Sequence, residues 1–171
     1  MNVMDAIKSR HTSRSYLPKE IEKEKLDQLL EAMRLAPGAR VEQDFKVLLV
    51  QDQGLKEKLA EASQHQMFIA EAPLVMVMCY TNERTMLCGE PVRPVDCSIA
   101  LSYVLLEAQE LGLSTCWIGA FEAEKAGEIL NVPKDYKVFA LLPVGYAARE
   151  GRPTRRKSIE ELVTYNQWEK A

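Results

Sequence analysis

The segment at residues 96–111, DCSIALSYVLLEAQEL, constrains the fold of this chain most, because it is apolar on nearly every side. A helix with one apolar stripe lies on a protein surface, whereas a helix that is apolar all round needs neighbours on every side. We therefore predict a central, buried helix over residues 96–111, with Asp96 as its N-cap and Gly112 as its C′ residue.

The chain is long enough to surround such a helix with a single core. It has 171 residues, of which 47% are apolar and 27% are charged, and these values exclude a disordered or fibrous protein. At this length roughly 70% of the surface of the extended chain becomes buried on folding. We predict one domain over residues 1–171.

Charge and hydropathy disfavour two kinds of partner. Lys and Arg total 22 against 25 Asp and Glu, a net charge of −3, whereas a general nucleic-acid coat is strongly basic. The N-terminus lacks the apolar stretch of a signal peptide, and no run approaches the ~18 apolar residues of a membrane span. We expect a soluble cytoplasmic protein with no nucleic-acid or membrane partner.

Short apolar runs alternate with amphipathic segments in the rest of the chain. The runs FKVLLV at 45–50 and LVMVMC at 74–79 are typical of strands buried on both faces. The other predicted strands are 115–118 and 138–144, and the predicted helices are 2–8, 23–35, 55–63 and 122–130. We predict an α+β fold, with one sheet and helices on both of its faces.

Two basic segments lie at opposite ends of the sequence. SRHTSR at 9–14 places Arg10 and Arg14 among hydroxyl groups, and the stretch at 152–157 contains three arginines and Lys157. A phosphate monoester is bound by such charged, bidentate donors together with small hydroxyl donors. The alternative is a solvated charged surface, and composition alone does not decide between the two.

Several common chemistries lack their motifs here. The four cysteines form no CxxC pair and have no nearby histidine, so we interpret them as reduced thiols and predict no metal site. GxSxG, GxGxxG and GxxxxGK[ST] are all missing from the sequence, which disfavours a hydrolase, a Rossmann fold and a P-loop. We assign no catalytic side chain.

Six segments occur in an informative order: RHTSRSY at 10–16, APGA at 36–39 followed by Gln43 and Phe45, AP at 72–73, LGLSTCWIGAF at 111–121, LLPVGY at 141–146 and RKSIEEL at 156–162. This order resembles the nitroreductase-like family of FMN-dependent oxidoreductases over almost the whole chain. The resemblance implies a three-layer sandwich with a central buried helix and one mixed, mainly antiparallel sheet flanked by helices. It also implies an enzyme that passes electrons from NAD(P)H through FMN to a small electron-poor acceptor, such as a nitroaromatic or a quinone.

The resemblance implies a role for each matching residue. Arg10, His11, Thr12 and Arg14 meet the flavin phosphate or ribityl chain together with Arg156, for which Arg155 is the adjacent alternative. Ile118, Gly119 and Ala120 approach the reactive edge of the ring through backbone groups, and Gln43 and Gln66 are hydrogen-bonding candidates. Family members are homodimers, so Pro37, Gly38 and Ala39 are presented to the flavin of the partner, and the tail with Tyr165 and Trp168 reaches over it.

The sequence departs from the family pattern in one loop. Gly38, Val41 and Asp44 stand where serine, asparagine and proline are common, and Asp44 adds negative charge near an anionic cofactor. Three alternatives therefore stay open: a flavin enzyme of the same fold with other chemistry (dehalogenation, desaturation or consumption of the flavin), a flavin-binding protein without turnover, and a thiol redox protein that uses Cys88 or Cys97.

Overall fold

One antiparallel sheet separates two helical layers in the computed structural model, which describes residues 2–151 and 154–168. The strands are β1 (Phe45–Val50), β2 (Leu74–Tyr80), β3 (Ser114–Thr115) and β4 (Lys137–Gly145), in the spatial order β1-β2-β4-β3. The helices are α1 (Val3–Ser9), α2 (Lys23–Leu35), α3 (Gln53–Ala62), α4 (Phe68–Glu71), α5 (Val92–Glu110), α6 (Ala123–Ile129) and α7 (Ile159–Leu162). A 3₁₀ turn covers Ala39–Val41.

The two faces of the central strands form two separate cores. On β2, Met76 and Met78 pack in the core that contains α2 and α5, whereas Val75 and Val77 pack in the core that contains α3, α4 and α6. All seven residues of β2 are buried, because helices cover both sides of the sheet. The predicted three-layer α+β sandwich is confirmed.

Helix α5 is the central buried helix, as predicted, but its start is different. It begins at Val92 rather than at residue 96, and Pro94 is accommodated because the first turn of a helix needs no intrahelical N–H donors. Asp96 is therefore not an N-cap; it lies inside the helix. Gly112 is the C′ residue, with φ +72°, and the N–H of Leu113 donates to the Ala108 carbonyl at 2.7 Å.

The edge strands differ most from the sequence prediction. Strand β1 is largely half-exposed, since it lies at the edge of the sheet, and the expectation that both of its faces are buried was wrong. Strand β3 is limited to Ser114–Thr115, and Ile118 pairs with Leu141 of β4 in a separate bridge. All three strand pairs are antiparallel, and the parallel pairing in the mixed sheet that was expected is limited to one isolated bridge between Thr12 and Thr115.

The remaining boundaries fall within two residues of the prediction, and α2 and β1 have the predicted bounds. The short helices α4 and α7 were not predicted, because four residues are too few to show helical periodicity. No helix in the described part of the chain is both long enough and apolar enough to cross a membrane.

Candidate functional site

The segment after α1 runs along the β3 edge of the sheet. Thr12 is paired with Thr115, and the N–H of Ser13 donates to the Thr115 carbonyl at 3.0 Å. The buried hydroxyl of Tyr16 donates toward the carbonyls of Ser13 and Pro143, at 3.1 and 3.2 Å. These bonds fix the backbone on which the basic residues 10–14 are carried.

A cavity of about 470 Å³ lies between the end of α1 and the C-terminal segment. It brings together three of the predicted site residues from opposite ends of the sequence: Arg10, His11 and Arg156. Arg156, rather than Arg155, lines the cavity. The complete lining is Ile7, Lys8, Ser9, Arg10, His11, Gly151, Thr154 and Arg156.

Arg10, Arg14 and Arg156 carry charge that no acidic side chain of the described residues compensates in an ion pair. Arg34, Arg84 and Arg93 each form an ion pair with a carboxylate. Within residues 2–151 and 154–168, no such pair is formed by Arg10, Arg14 or Arg156. The cavity is therefore suited to an anion with several oxygens, such as a phosphate, which can accept charge-assisted hydrogen bonds from two guanidinium groups.

His11 contributes a buried polar atom to the same region. Its Nδ1 lies 3.2 Å from the Ser9 carbonyl, and its Nε2 is buried without a hydrogen-bond partner among the described residues. Buried polar atoms are nearly always paired in folded proteins. This unpartnered nitrogen is therefore open to a group of a bound ligand.

A second stretch of predicted site residues lies farther along the same edge. The Arg14 guanidinium lies close enough to Cys116 to oppose the effect of burial, which raises the pKa of that thiol. Past Cys116, the N–H of Ile118 donates to the Leu141 carbonyl at 2.9 Å, so this donor is used by the sheet. The N–H groups of Gly119 and Ala120 have no acceptor within the described ranges.

Gln66, which lies just before α4, binds the backbone of this stretch. Its Nε2 donates to the Ser63 carbonyl at 2.9 Å and to the Ala120 carbonyl at 3.3 Å. The amide donors of Gln66 are thus used within the protein, where they hold the backbone of Ala120. We use the name edge site for the following predicted residues: 10–14, 66, 118–120 and Arg156.

The predicted residues 37–43 lie elsewhere, before the edge strand β1. The N–H of Ala39 donates to Asp96 Oδ1 at 2.8 Å, and Gln43 Nε2 donates to the Arg34 carbonyl at 2.8 Å. Strands β1 and β3 are the two opposite edges of the sheet. Three strand spacings of ~4.8 Å put about 14 Å between those edges, so the segment that leads into β1 and the segment beside β3 belong to different edges of the sheet.

The same loop holds a strained backbone. Arg40, Val41 and Gln43 have φ values of 56°, 53° and 50°, in the left-handed region. That region is unfavourable for residues other than glycine, and especially for a β-branched residue such as Val41; each costs about 1–3 kcal/mol. Such conformations persist only where the surroundings enforce them.

The group that encloses this loop is an ion cluster around Arg93, which the sequence reasoning missed. Arg93 is 2% exposed and donates to Glu42, Asp44 and Asp96, the last at 3.1 Å. The hydrogen bond from Arg93 holds the pKa of Glu42 below its ordinary value. The i,i+3 spacing of Arg93 and Asp96 was visible in the sequence, but their partners about 50 positions away were not. Asp44 is thus ion-paired with Arg93 within this cluster.

Comparison with known proteins extends the resemblance noted above. The family model described as "Putative TM nitroreductase" matches residues 2–171. A "Putative NADH dehydrogenase/NAD(P)H nitroreductase" of Methanothermobacter thermautotrophicus is 29% identical over 98% of this chain and 88% of its own length. An FMN reductase (NAD(P)H) of Bacillus subtilis is 29% identical over 95% of this chain and 74% of its own length.

Solved structures show the same similarity. An FMN-dependent nitroreductase of Clostridium difficile R20291 superposes with a TM-score of 0.84 and 29% identity. The match covers 96% of this chain and 99% of that one.

Proposed function

Since the chain belongs to the nitroreductase family, we propose that it is an FMN-dependent oxidoreductase that takes electrons from NAD(P)H and passes them to an electron-poor acceptor such as a nitroaromatic or a quinone. Similar proteins named FMN reductase and FMN-dependent nitroreductase support the cofactor and the electron donor. We propose further that residues 1–171 form one flavin-binding domain.

The basic cavity is the observation that carries this proposal. A flavin phosphate is a dianion, and the cavity offers Arg10 and Arg156 without competing carboxylates within the described residues, together with the buried and unpartnered Nε2 of His11. The donor set therefore fits the phosphate end of FMN. Thr12 and Arg14, which follow on the segment paired with β3, continue the site toward residues 118–120.

The protein's own contribution to the reaction is binding and orientation. Bound FMN supplies the redox chemistry, by accepting electrons from one ligand and giving them to the next. The N–H groups of Gly119 and Ala120, which have no acceptor among the described residues, are donors available to the flavin ring, and a backbone donor placed there stabilises negative charge without a titrating side chain. A Cβ built on Gly119 meets no atom within 4 Å, so the structure leaves room at this position.

We propose that the active form is a homodimer. Pro37, Gly38, Ala39 and Gln43 lie at the sheet edge opposite to the edge site, so they fit the flavin of a second copy rather than that of their own chain. In the tail, Tyr165 is 82% exposed and Trp168 is 85% exposed, which is a poor use of large aromatic side chains in a monomer.

Two adjacent arginines provide a matched test of flavin binding. Only Arg156 of this pair lines the cavity, so Arg156→Ala should weaken FMN binding about tenfold or more, whereas Arg155→Ala should leave it near the wild-type value. Loss of one charge-assisted hydrogen bond costs ~1.5–3 kcal/mol, which corresponds to that factor. Arg10→Ala should act like Arg156→Ala. Fluorescence titration of the apoprotein with FMN measures the dissociation constants.

The visible spectrum tests the redox assignment. Purified protein reconstituted with FMN should be yellow and should lose its absorption near the flavin maximum when NADH or NADPH is added without oxygen. Addition of a nitroaromatic or quinone should then restore the absorption. Protein that stays yellow with both nicotinamides is a flavin-binding protein without turnover, and equal FMN affinities of the two alanine variants would remove the phosphate assignment.

A further inference from the structure

The loop at residues 38–44 is both strained and exposed. Three of its residues have left-handed φ values, and Val41 among them is 68% exposed although it is apolar. A β-branched residue gains nothing locally from this conformation. A strained loop that presents an apolar side chain to solvent is therefore held in place by something other than its own sequence.

Arg93 reaches this loop from the buried side at several points. Its guanidinium binds Glu42 and Asp44 directly. Through Asp96, whose other oxygen accepts the N–H of Ala39, it also fixes the beginning of the loop. The carboxylates outnumber Arg93, so removal of this cation leaves Asp44 and Asp96 without their ion-pair partner and leaves Glu42 with Arg84 alone.

The same cluster joins the loop to the segment that leads into α5. Arg84 binds Glu42 from the side of the 81–91 segment, at 3.0 Å, and the N–H of Val92 donates to the Arg84 carbonyl at 2.7 Å. Glu42 is thus held by two arginines that lie on either side of the start of α5. The loop is therefore fixed against the central helix through Arg93 and against the 81–91 segment through Arg84.

We propose that Arg93 is the positioning residue that holds loop 38–44 in the conformation in which it meets the flavin of the partner subunit. This inference rests on the proposed function. In this role the Arg93 cluster presents the loop to the flavin. Val41 then contacts the flavin through its apolar side chain, whereas an asparagine at position 41 would have offered a hydrogen bond. Arg93 does not touch the reacting atoms; it acts through the loop.

Hydrogen exchange of the loop amides, with and without FMN, tests this role. In the wild type, FMN should slow the exchange of residues 38–44. Arg93→Met should speed exchange of these amides about tenfold or more without FMN, abolish the FMN-dependent protection and raise the dissociation constant of FMN about tenfold. Arg93→Lys, which keeps the charge, should retain more of the protection than Arg93→Met.

A matched control and a second variant complete the test. Arg34→Met removes an exposed arginine that pairs with Glu31 and has no loop carboxylate as a partner, so it should behave as the wild type. If Arg93→Met does not fold, Asp96→Ala removes the acceptor of the Ala39 N–H while leaving Arg93 paired with Glu42 and Asp44. This second variant should lose protection at the start of the loop and the FMN-dependent effect there.

The outcomes separate this inference from the proposed function. A wild type that binds FMN without protecting the loop overturns the role of Arg93 and leaves the flavin assignment standing. A variant that unfolds more easily but keeps the FMN-dependent protection and affinity shows that Arg93 only stabilises the fold, which also overturns the role. A wild type that binds no FMN overturns both.

Discussion

Burial divides the cysteines into groups with different chemistry. All four are free thiols, and only Cys88 is exposed. Burial raises the pKa of Cys79 to about 11 and that of Cys97 to about 12, and it also raises the pKa of Cys116. Since the thiolate is the nucleophile, these three groups are poorly reactive near neutral pH. The thiol redox alternative needs Cys97 or Cys88. Among the described residues these cysteines do not form a pair of reactive thiols.

Thiol titration checks this difference directly. At pH 8, Ellman's reagent should react quickly with one thiol of the native protein, and Cys88→Ser should remove that fast reaction because the other cysteines are buried and protonated. In denaturant all the remaining thiols should react. Fast reaction of a second thiol in native Cys88→Ser would contradict the burial described here.

The segment between β3 and α6 is held by hydrogen bonds on both sides of Gly119 and leaves open space at that glycine. Ile118 is bonded to Leu141 of β4, and Ala120 is held by Gln66. Gly119, between them, has open space where a Cβ would stand, and its φ lies outside the left-handed region. The fold itself does not require glycine at this position, so a requirement for glycine would come from a ligand.

Gly119→Val should therefore separate folding from flavin binding. We expect an unchanged melting temperature, and an increase of about tenfold or more in the dissociation constant of FMN or a matching decrease in the rate of flavin reduction by NAD(P)H, because the side chain occupies space beside the ring. Differential scanning fluorimetry and stopped-flow absorbance measure the two effects.

Gly145→Ala is the control for Gly119→Val, because at Gly145 the fold itself leaves no room for a side chain. A Cβ at Gly145 would lie 2.5 Å from Pro73 Cδ, so this substitution should destabilise the protein by about 1–3 kcal/mol through overpacking. A Gly119→Val variant with wild-type flavin binding and reduction would show that the segment does not touch the flavin.

At the scale of the whole molecule, the C-terminal segment stands out because its side chains are exposed to solvent within the described residues. Residues 154–168 are exposed throughout, including the apolar Ile159 and Leu162 of α7. A capping box in which Ser158 accepts from the N–H of Glu161 nevertheless preserves the helical turn. An ordered turn with exposed apolar side chains fits a segment that is buried against a second subunit.

Truncation after Lys157 should convert the proposed dimer to a monomer and reduce FMN binding, while Arg156 remains in place. Size-exclusion chromatography with light scattering measures the mass, and fluorescence titration measures the affinity. Because the tail side chains are exposed, the truncated chain should still unfold cooperatively. A full-length protein that is monomeric at micromolar concentration would contradict the proposed dimer.

Local patterns determined much of what could be predicted. The bounds of α2 and β1, the C′ role of Gly112 and the buried character of α5 and β2 follow from short-range periodicity and from backbone preferences of single residues. The order of motifs likewise led to the family, and Arg10, His11 and Arg156 do line one cavity.

Only the tertiary structure decided which strand is an edge and which carboxylates meet Arg93. Strand β1 is apolar in sequence apart from Lys46, but its exposure depends on its place at the edge of the sheet. Asp96 was interpreted as a helix cap because a cap is a local explanation, whereas its partners Arg93 and Ala39 belong to a cluster assembled from distant segments. Periodicity reports the average surroundings of a residue, and the pairing of buried charges depends on contacts that folding alone creates.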